Sequence, residues 1–145
     1  MSAPGEKNNL PAATGEHATV ERARRKLVLV AEDDEKTRNL LGQVMRRGGY
    51  RVALAEDGLG AANLLKRAIP DLIIIDLKMP RMDGFQLIEI LKRYDTSANI
   101  PIVVLTGVEG PFELDRALRL GIDDFLVKPI SPRKLLIKVR SIIGK

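Results

Sequence analysis

Residues 70–84 read PDLIIIDLKMPRMDG, and this stretch gives the clearest indication of the fold class. Asp71–Asp76 is apolar on both faces of an extended chain, which is typical of a central strand in a parallel sheet. A polar loop with Pro80 and Gly84 follows, and the apolar spacing after it predicts a helix over Phe85–Tyr94. A buried strand followed by an amphipathic helix is the unit from which α/β proteins are built.

The same unit occurs five times along the chain. The predicted strands are Lys26–Ala31, Tyr50–Ala55, Asp71–Asp76, Ile100–Thr106 and Ile122–Val127. The predicted helices run from the acidic cluster 32–35 to Arg47, over 57–68, 85–94 and 111–120, and onward from Ser131-Pro132. Leu40, Leu41, Val44 and Met45 are expected to form the core face of the first helix. The pattern predicts an α/β fold, a doubly wound five-stranded parallel sheet of the flavodoxin-like (βα)5 type with strand order 2-1-3-4-5.

Length and composition fit one compact domain. The chain has 145 residues, of which 45% are hydrophobic and 30% charged, enough to bury a core. It has no cysteine, so disulfides, thiol catalysis and cysteine-bound metals are excluded. His17 is the single histidine, which argues against a histidine-rich metal site or a catalytic triad. We expect residues 1–25 to be a flexible N-terminal tail and residues 26–145 to be the folded domain.

Charge and hydropathy favour a cytoplasmic protein. No apolar run approaches the length of a membrane span, and the N-terminus lacks the apolar segment of a signal peptide. The net charge is +5, which is typical of a solvated surface. We therefore expect no membrane partner and regard nucleic-acid binding as unlikely.

Functional side chains follow several of the predicted strands. The first strand ends at Glu32-Asp33, the third at Asp76, the fourth at Thr106 and the fifth at Lys128. The carboxyl ends of parallel strands meet at one edge of the sheet, so these groups should lie together. Carboxylates crowded in this way repel one another and favour a hard divalent cation such as Mg²⁺. An aspartate, a metal, a lysine and a hydroxyl form a set suited to phosphoryl transfer.

Four segments, in their order along the chain, resemble the response-regulator receiver domains of two-component signalling. They are LVLVAEDD, PDLIIIDLKMPRMDG, PIVVLTG and GIDDFLVKP, and the resemblance covers about residues 26–144. It implies that Asp76 accepts a phosphoryl group from a histidine kinase or a histidine phosphotransfer protein. It also implies a Mg²⁺ site made by Asp33 directly, Glu32 through water, Asp76, and the backbone carbonyl of Lys78.

The resemblance assigns roles to the remaining residues at this edge. Thr106 would hydrogen-bond the phosphoryl group, and Lys128 would pair with its oxygens. Phe125 would be the switch aromatic that turns inward with Thr106. The Lys128–Pro129 peptide bond would be cis. Such a protein is a switch rather than an enzyme acting on an external substrate.

Partner surfaces are implied as well. The fourth helix, fifth strand and fifth helix, roughly residues 112–140, would bind a downstream effector protein or a second copy. The kinase is expected near Thr37, Arg38 and Leu41 on the first helix. The chain ends at Lys145, soon after the last helix, and we expect a stand-alone regulator, with a receiver excised from a longer protein as the alternative.

Two positions depart from the usual family pattern. Lys78 lies two residues after Asp76, and Val108 lies two residues after Thr106. Neither side chain can hold a hydrolytic water as an amide and an acid do. We therefore expect the aspartyl phosphate to decay slowly for this family.

Other interpretations of the sequence stay open. The chain could be a phosphorylation-independent docking domain on the same scaffold, or a Mg²⁺-dependent phosphohydrolase. The second requires a further aspartate two residues after the nucleophile, where this chain has Lys78. Glu32 and Asp33 could only complement a helix dipole, and Phe125 could be plain core. We expect Asp34 to be a helix cap and Asp57 to be a turn residue.

Overall fold

The computed structural model of the protein describes residues 20, 24–107 and 111–145. Most of the predicted tail, including His17, lies outside the described residues, and so does Val108. Within the described part of the chain, no helix combines the length and the apolar character that crossing a membrane requires.

Within residues 24–107 and 111–145, five strands alternate with five helices. The strands are β1 (Leu27–Ala31), β2 (Arg51–Ala55), β3 (Leu72–Asp76), β4 (Ile102–Thr106) and β5 (Asp124–Val127). The helices are α1 (Glu35–Arg47), α2 (Gly58–Leu65), α3 (Gly84–Arg93), α4 (Pro111–Arg119) and α5 (Pro132–Ile143). The predicted alternation is confirmed, and most boundaries agree within one or two residues.

The helix α2 ends three residues earlier than the sequence predicts. The backbone N–H of Lys66 donates to the carbonyl of Asn63 at 3.2 Å, and that of Arg67 donates to Leu64 at 3.0 Å. These bonds span three residues and tighten the last turn, as is common where a helix ends. The turn leads to Pro70, which cannot continue a helix.

The five strands form one parallel sheet in the order β2-β1-β3-β4-β5, as predicted. β3 and β4 are buried along their whole length, which explains their continuous apolar sequence. The sheet is doubly wound, with α2, α3 and α4 packing on one face and α1 and α5 on the other.

The core face of α1 differs from the prediction at one position. Leu41 and Met45 are buried and Val44 packs against the same cluster. Leu40, predicted to face the core, is 41% exposed. Consecutive helical residues are about 100° apart, so Leu40 lies at the solvent edge of the stripe that Leu41 and Met45 define.

Asp34 caps the N-terminus of α1, as predicted. Its carboxylate accepts hydrogen bonds from the Thr37 backbone N–H at 2.9 Å and from the Thr37 hydroxyl at 2.6 Å. This use of the side chain leaves Asp34 committed to the helix start, so Glu32 and Asp33 are the acids of this segment that are free for other chemistry.

The last turn of α5 is hydrogen-bonded to residues just before β1 and β2, at the amino ends of these strands. The Lys26 ammonium donates to the carbonyl of Ile143, and the Tyr50 hydroxyl donates to the carbonyl of Gly144. Tyr50 is buried, and its backbone N–H donates to Met45 at the end of α1. Carbonyls at the end of a helix lack intrahelical partners, and here two side chains supply them.

Candidate functional site

The carboxyl ends of β1 and β3 bring three acids together. Carboxylate oxygens of Glu32, Asp33 and Asp76 all lie within 4.8 Å of one another. Glu32 and Asp76 are buried, whereas Asp33 is exposed. Because β1 and β3 are hydrogen-bonded neighbours, their ends cannot separate without breaking the sheet. The predicted convergence of these side chains is confirmed.

Lys128 follows the carboxyl end of the outermost strand, β5, and reaches across to these acids. Its ammonium donates to Asp76 Oδ2 at 3.1 Å and lies 3.1 Å from Glu32 Oε1. The Lys128 backbone N–H donates to the Thr106 carbonyl at 2.7 Å, which holds the residue against β4. The peptide bond to Pro129 is cis, as the family resemblance implied.

Burial and charge set the protonation of the site. Burial raises the pKa of Glu32 to about 7, and the nearby Asp76 carboxylate adds to this rise. The Asp34 N–H and the Lys128 charge oppose it. For Lys128, burial alone would lower the pKa, but the hydrogen bond from its ammonium to Asp76 and the charges of Asp76 and Glu32 raise it overall. Lys128 is therefore charged at neutral pH.

The donor set fits a hard divalent cation. Glu32 Oε2 accepts the Asp34 N–H at 3.1 Å, but Glu32 Oε1 makes no hydrogen bond to any described residue. The cation next to Glu32 Oε1 is the Lys128 ammonium, which Asp76 shares, so one positive charge offsets two buried carboxylates. Mg²⁺ prefers a few carboxylates together with waters, so Glu32, Asp33 and Asp76 could hold it.

Asp76 is oriented by two donors. Its Oδ1 accepts the Lys78 backbone N–H at 3.1 Å, and its Oδ2 accepts the Lys128 ammonium. A small cleft opens beside it, lined by Asp76, Leu77, Lys78, Thr106, Gly107, Glu113 and Lys128. The buried Thr106 hydroxyl lines this cleft and donates to the Gly107 carbonyl at 3.2 Å. A group bound in the cleft would meet a carboxylate, an ammonium and a hydroxyl.

The sequence placed Arg38 near the expected kinase surface but did not predict its contact with the backbone of the acidic pair. Arg38 donates to the backbone carbonyls of Glu32 at 3.0 Å and Asp33 at 3.2 Å. These two hydrogen bonds fix the backbone of Glu32 and Asp33. The position of Arg38 one turn into α1 is visible in the sequence, but its bonds to backbone carbonyls are not.

Asp57 does more than the turn role predicted for it. Its carboxylate caps α2 by accepting the Gly60 N–H at 2.7 Å, and it forms an ion pair with Arg81. Arg81 carried no role in the sequence interpretation, because nothing local links it to a residue on another strand.

The structure also places the remaining predicted residues. Phe125 is partly buried and packs against the core cluster beneath α2, α3 and α4, a position that leaves its switch role a prediction. Leu41, predicted to lie where the kinase docks, is only 1% exposed. Leu41 therefore cannot contact a partner, because it belongs to the core stripe of α1, and the exposed leucine of this helix is Leu40. Kinase binding near Thr37 and Arg38 stays a prediction.

Comparison with known proteins gives the same family for most of the chain. Residues 28–140 match the family model described as the response regulator receiver domain. The phosphate regulon transcriptional regulatory protein PhoB of Escherichia coli (strain K12) is 36% identical over 118 residues, covering 81% of this chain and 52% of that protein. The chain thus spans about half the length of the curated relatives it matches.

Solved structures agree with this result. The chemotaxis protein CheY4 of Vibrio cholerae superposes with a TM-score of 0.77 at 29% identity, over 81% of this chain and 98% of that chain. The receiver domain of the sensor histidine kinase PA1611 from Pseudomonas aeruginosa PAO1 has a TM-score of 0.76 at 26% identity, over 83% and 99%. In that neighbour, a magnesium ion is coordinated in the active site cleft.

Proposed function

Because the chain belongs to the response regulator receiver family, we propose that it is a phosphorylation-controlled switch in which Asp76 carries the phosphoryl group. The donor is the phosphohistidine of a histidine kinase or of a histidine phosphotransfer protein. In the transfer, an Asp76 carboxylate oxygen bonds to phosphorus as the phosphorus–nitrogen bond breaks, and the imidazole leaves and takes up a proton. The product is an aspartyl phosphate.

Lys128 and the Lys78 backbone N–H prepare Asp76 for this step. Lys128 holds Asp76 Oδ2 and the Lys78 N–H holds Asp76 Oδ1, so the carboxylate is oriented before the donor arrives. After transfer, the Lys128 ammonium pairs with phosphoryl oxygens. Phosphoryl transfer needs little covalent assistance, so positioning and charge neutralisation provide most of the catalysis.

Asp33, Asp76 and the Lys78 carbonyl would hold Mg²⁺ directly, and Glu32 would hold it through a water molecule. Bound there, the ion would neutralise charge on the phosphoryl oxygens. The support for this assignment is the convergence of three carboxylates within 4.8 Å, two of which share the single Lys128 ammonium. The coordinated magnesium of the PA1611 receiver lies in the corresponding kind of cleft, the active site cleft of that protein.

Thr106 and Phe125 would transmit the change. To reach a phosphoryl group, the Thr106 hydroxyl must leave the Gly107 carbonyl that it now binds. The movement of Thr106 would free space for Phe125 to turn inward. The rotation of Phe125 would shift the conformational equilibrium of the domain toward a state with an active binding surface.

That surface would be formed by α4, β5 and α5. Exposed apolar side chains lie on each of these elements, namely Phe112, Val127 and Ile137. A groove between β5 and α5 is lined by Phe125, Val127, Lys134 and Ile137 among others. The occupant would be an effector protein or a second copy of the chain.

The observation that carries the proposal is the Lys128 ammonium, which lies 3.1 Å from both Asp76 Oδ2 and Glu32 Oε1 at the tip of a parallel sheet. The test is incubation with Mg²⁺ and a small acyl phosphate, followed by intact mass and mapping of the modified residue. Wild type should gain one phosphoryl group on Asp76. Asp76→Ala should gain none, while the exposed Asp95→Ala control should match wild type. Uptake by Asp76→Ala at wild-type stoichiometry would overturn the proposal.

The expected slow loss of the phosphate stays a prediction. Lys78 lines the cleft beside Asp76, whereas Val108 lies outside the described residues. In Lys78→Asn an amide would be available to orient water. We expect this variant to lose its phosphate faster than wild type, measured by intact mass against time after donor removal. An equal or slower decay would contradict the role given to Lys78.

A further inference from the structure

Two loops at the carboxyl ends of the strands are held together by an ion pair and a backbone hydrogen bond. The loop between β3 and α3, residues 77–83, is held by the loop before α2 in two places. The Arg81 guanidinium forms an ion pair with Asp57, and the Gly58 N–H donates to the Met82 carbonyl at 3.0 Å. A Cβ at Gly58 would lie 2.2 Å from the Met82 carbonyl oxygen, so the loops touch as closely as backbones can.

Each partner of the ion pair is constrained. Asp57 is 2% exposed, and its carboxylate is fixed by the Gly60 N–H as the cap of α2. The hydrogen bonds from Gly60 and Arg81 outweigh burial and lower the pKa of Asp57, so the carboxylate is charged at neutral pH. Arg81 has a φ of 63°, a left-handed conformation that costs a residue with a Cβ about 1 kcal/mol. Glycine would adopt this conformation more readily, so the arginine contributes through its side chain.

The Asp57–Arg81 ion pair joins two loops that flank the acidic pair at the end of β1. In the order β2-β1-β3, the strand that carries the acidic pair lies between the two strands whose loops are joined. The 77–83 loop also carries Lys78, which lies three residues before Arg81. The Lys78 backbone N–H donates to Asp76 Oδ1. A hydrogen bond joins the two ends of the loop, because the Gly84 N–H donates to the Leu77 carbonyl at 3.1 Å. The Asp57–Arg81 pair therefore fixes the middle of the segment that presents the Lys78 backbone to the site.

We propose that Arg81 and Asp57 are positioning residues for the metal and phosphoacceptor site: their ion pair holds the 77–83 loop so that the Lys78 N–H and carbonyl are aimed at Asp76 and at Mg²⁺. The proposal rests on the function proposed above. It assigns a role in the site to two side chains that touch neither the phosphoryl group nor the metal.

Three variants separate this role from simple stability. Arg81→Gly removes the ion pair and also removes the left-handed strain, so the relief of strain should offset part of the cost of leaving the buried Asp57 without its cation. Asp57→Asn removes the charge but keeps a good helix cap. Arg119→Gln is the matched control, because it removes the arginine of another Arg–Asp pair, the exposed one with Asp115 on α4.

The measurements are Mg²⁺ binding by calorimetry, hydrogen exchange of the Lys78 amide in metal-free protein, and urea unfolding. We expect Arg81→Gly and Asp57→Asn each to weaken Mg²⁺ binding about tenfold, the lower end of what residues that orient metal ligands contribute. The Lys78 amide should exchange faster in both variants. The double variant should bind Mg²⁺ no more weakly than either single one, because both changes break the same pair. Arg119→Gln should match wild type.

Wild-type Mg²⁺ affinity and wild-type Lys78 exchange in Arg81→Gly would overturn the proposal, whatever the unfolding free energy. Failure of wild type itself to bind Mg²⁺ or to take up phosphate on Asp76 would instead refute the function on which the proposal rests. The two failures are therefore distinguishable in one set of experiments.

Discussion

At the scale of single residues, the site depends on one ammonium shared by two buried carboxylates. Glu32 and Asp76 would each resist ionisation beside the other, and Lys128 offsets part of that repulsion. The compensation is incomplete, because one ammonium serves two carboxylates and the Glu32 pKa stays high. The metal-free site is thus poised to gain either a proton or a cation.

Glu32 should make the stability of the metal-free protein depend on pH. Its pKa rises from the ordinary value of 4.5 to about 7 on folding, chiefly through burial. Between these values the folded chain binds more protons than the unfolded chain, so the free energy of unfolding should fall as pH rises from 4.5 to 7. The carboxyls with lowered pKa, those of Asp34, Asp57 and Asp124, act below this window.

The measurement is urea unfolding in a metal chelator, from below pH 4.5 to above pH 7, on wild type and on Glu32→Gln. The difference between the two free energies of unfolding should change steadily with pH and level off above pH 7. A difference that does not vary with pH would show that Glu32 ionises in the folded protein as it does in the unfolded one.

At the scale of the elements, the sequence predicted what is local. Buried strands, caps and the residues that end each strand could be identified because each leaves its mark within a few positions, as Asp34 and Ser131 do at their helices. The exposed position of Leu40 was misjudged because helical periodicity leaves the edge of an apolar stripe undetermined.

The contacts between elements were harder to predict. Asp57 and Arg81 are 24 positions apart, and only the strand order and the close approach of two loops bring them together. Arg38 reaches backbone carbonyls, which have no signature in a sequence. The acids and Lys128 could be predicted to meet because parallel strands all end at the same edge of the sheet, which requires no knowledge of side-chain geometry.

The end of α5 gives a prediction at this scale. Tyr50→Phe removes the hydroxyl that donates to the Gly144 carbonyl while keeping the buried ring. We expect the free energy of unfolding to fall by about 1 kcal/mol, the usual contribution of one such bond, and the last turn of α5 to exchange its amide hydrogens faster. Tyr94→Phe is the control, because Tyr94 is exposed and should lose nothing measurable. Equal exchange in the α5 turn of both variants would show that the hydroxyl does not fasten the helix.

At the scale of the whole molecule, Mg²⁺ should act as a stabilising ligand. Binding to the folded chain alone adds to the free energy of unfolding, and at a hundred times the dissociation constant the increment is about 2.7 kcal/mol. Asp33→Asn should lose this increment and keep the metal-free stability, because Asp33 is exposed. The comparison uses MgCl₂ against NaCl at matched ionic strength. A rise of the same size in Asp33→Asn would indicate that the ion acts elsewhere on the protein.

The side chains of neighbouring residues in an extended chain point to opposite sides, as those of Val127 and Lys128 do at the end of β5. The Lys128 side chain reaches inward to Asp76, while Val127 is 43% exposed in the groove toward α5. The residue that contacts the buried acid and the residue that lines the outer groove are therefore joined by a single peptide bond. A change in the backbone position of Lys128 would also change the position of Val127 at the outer rim of the domain.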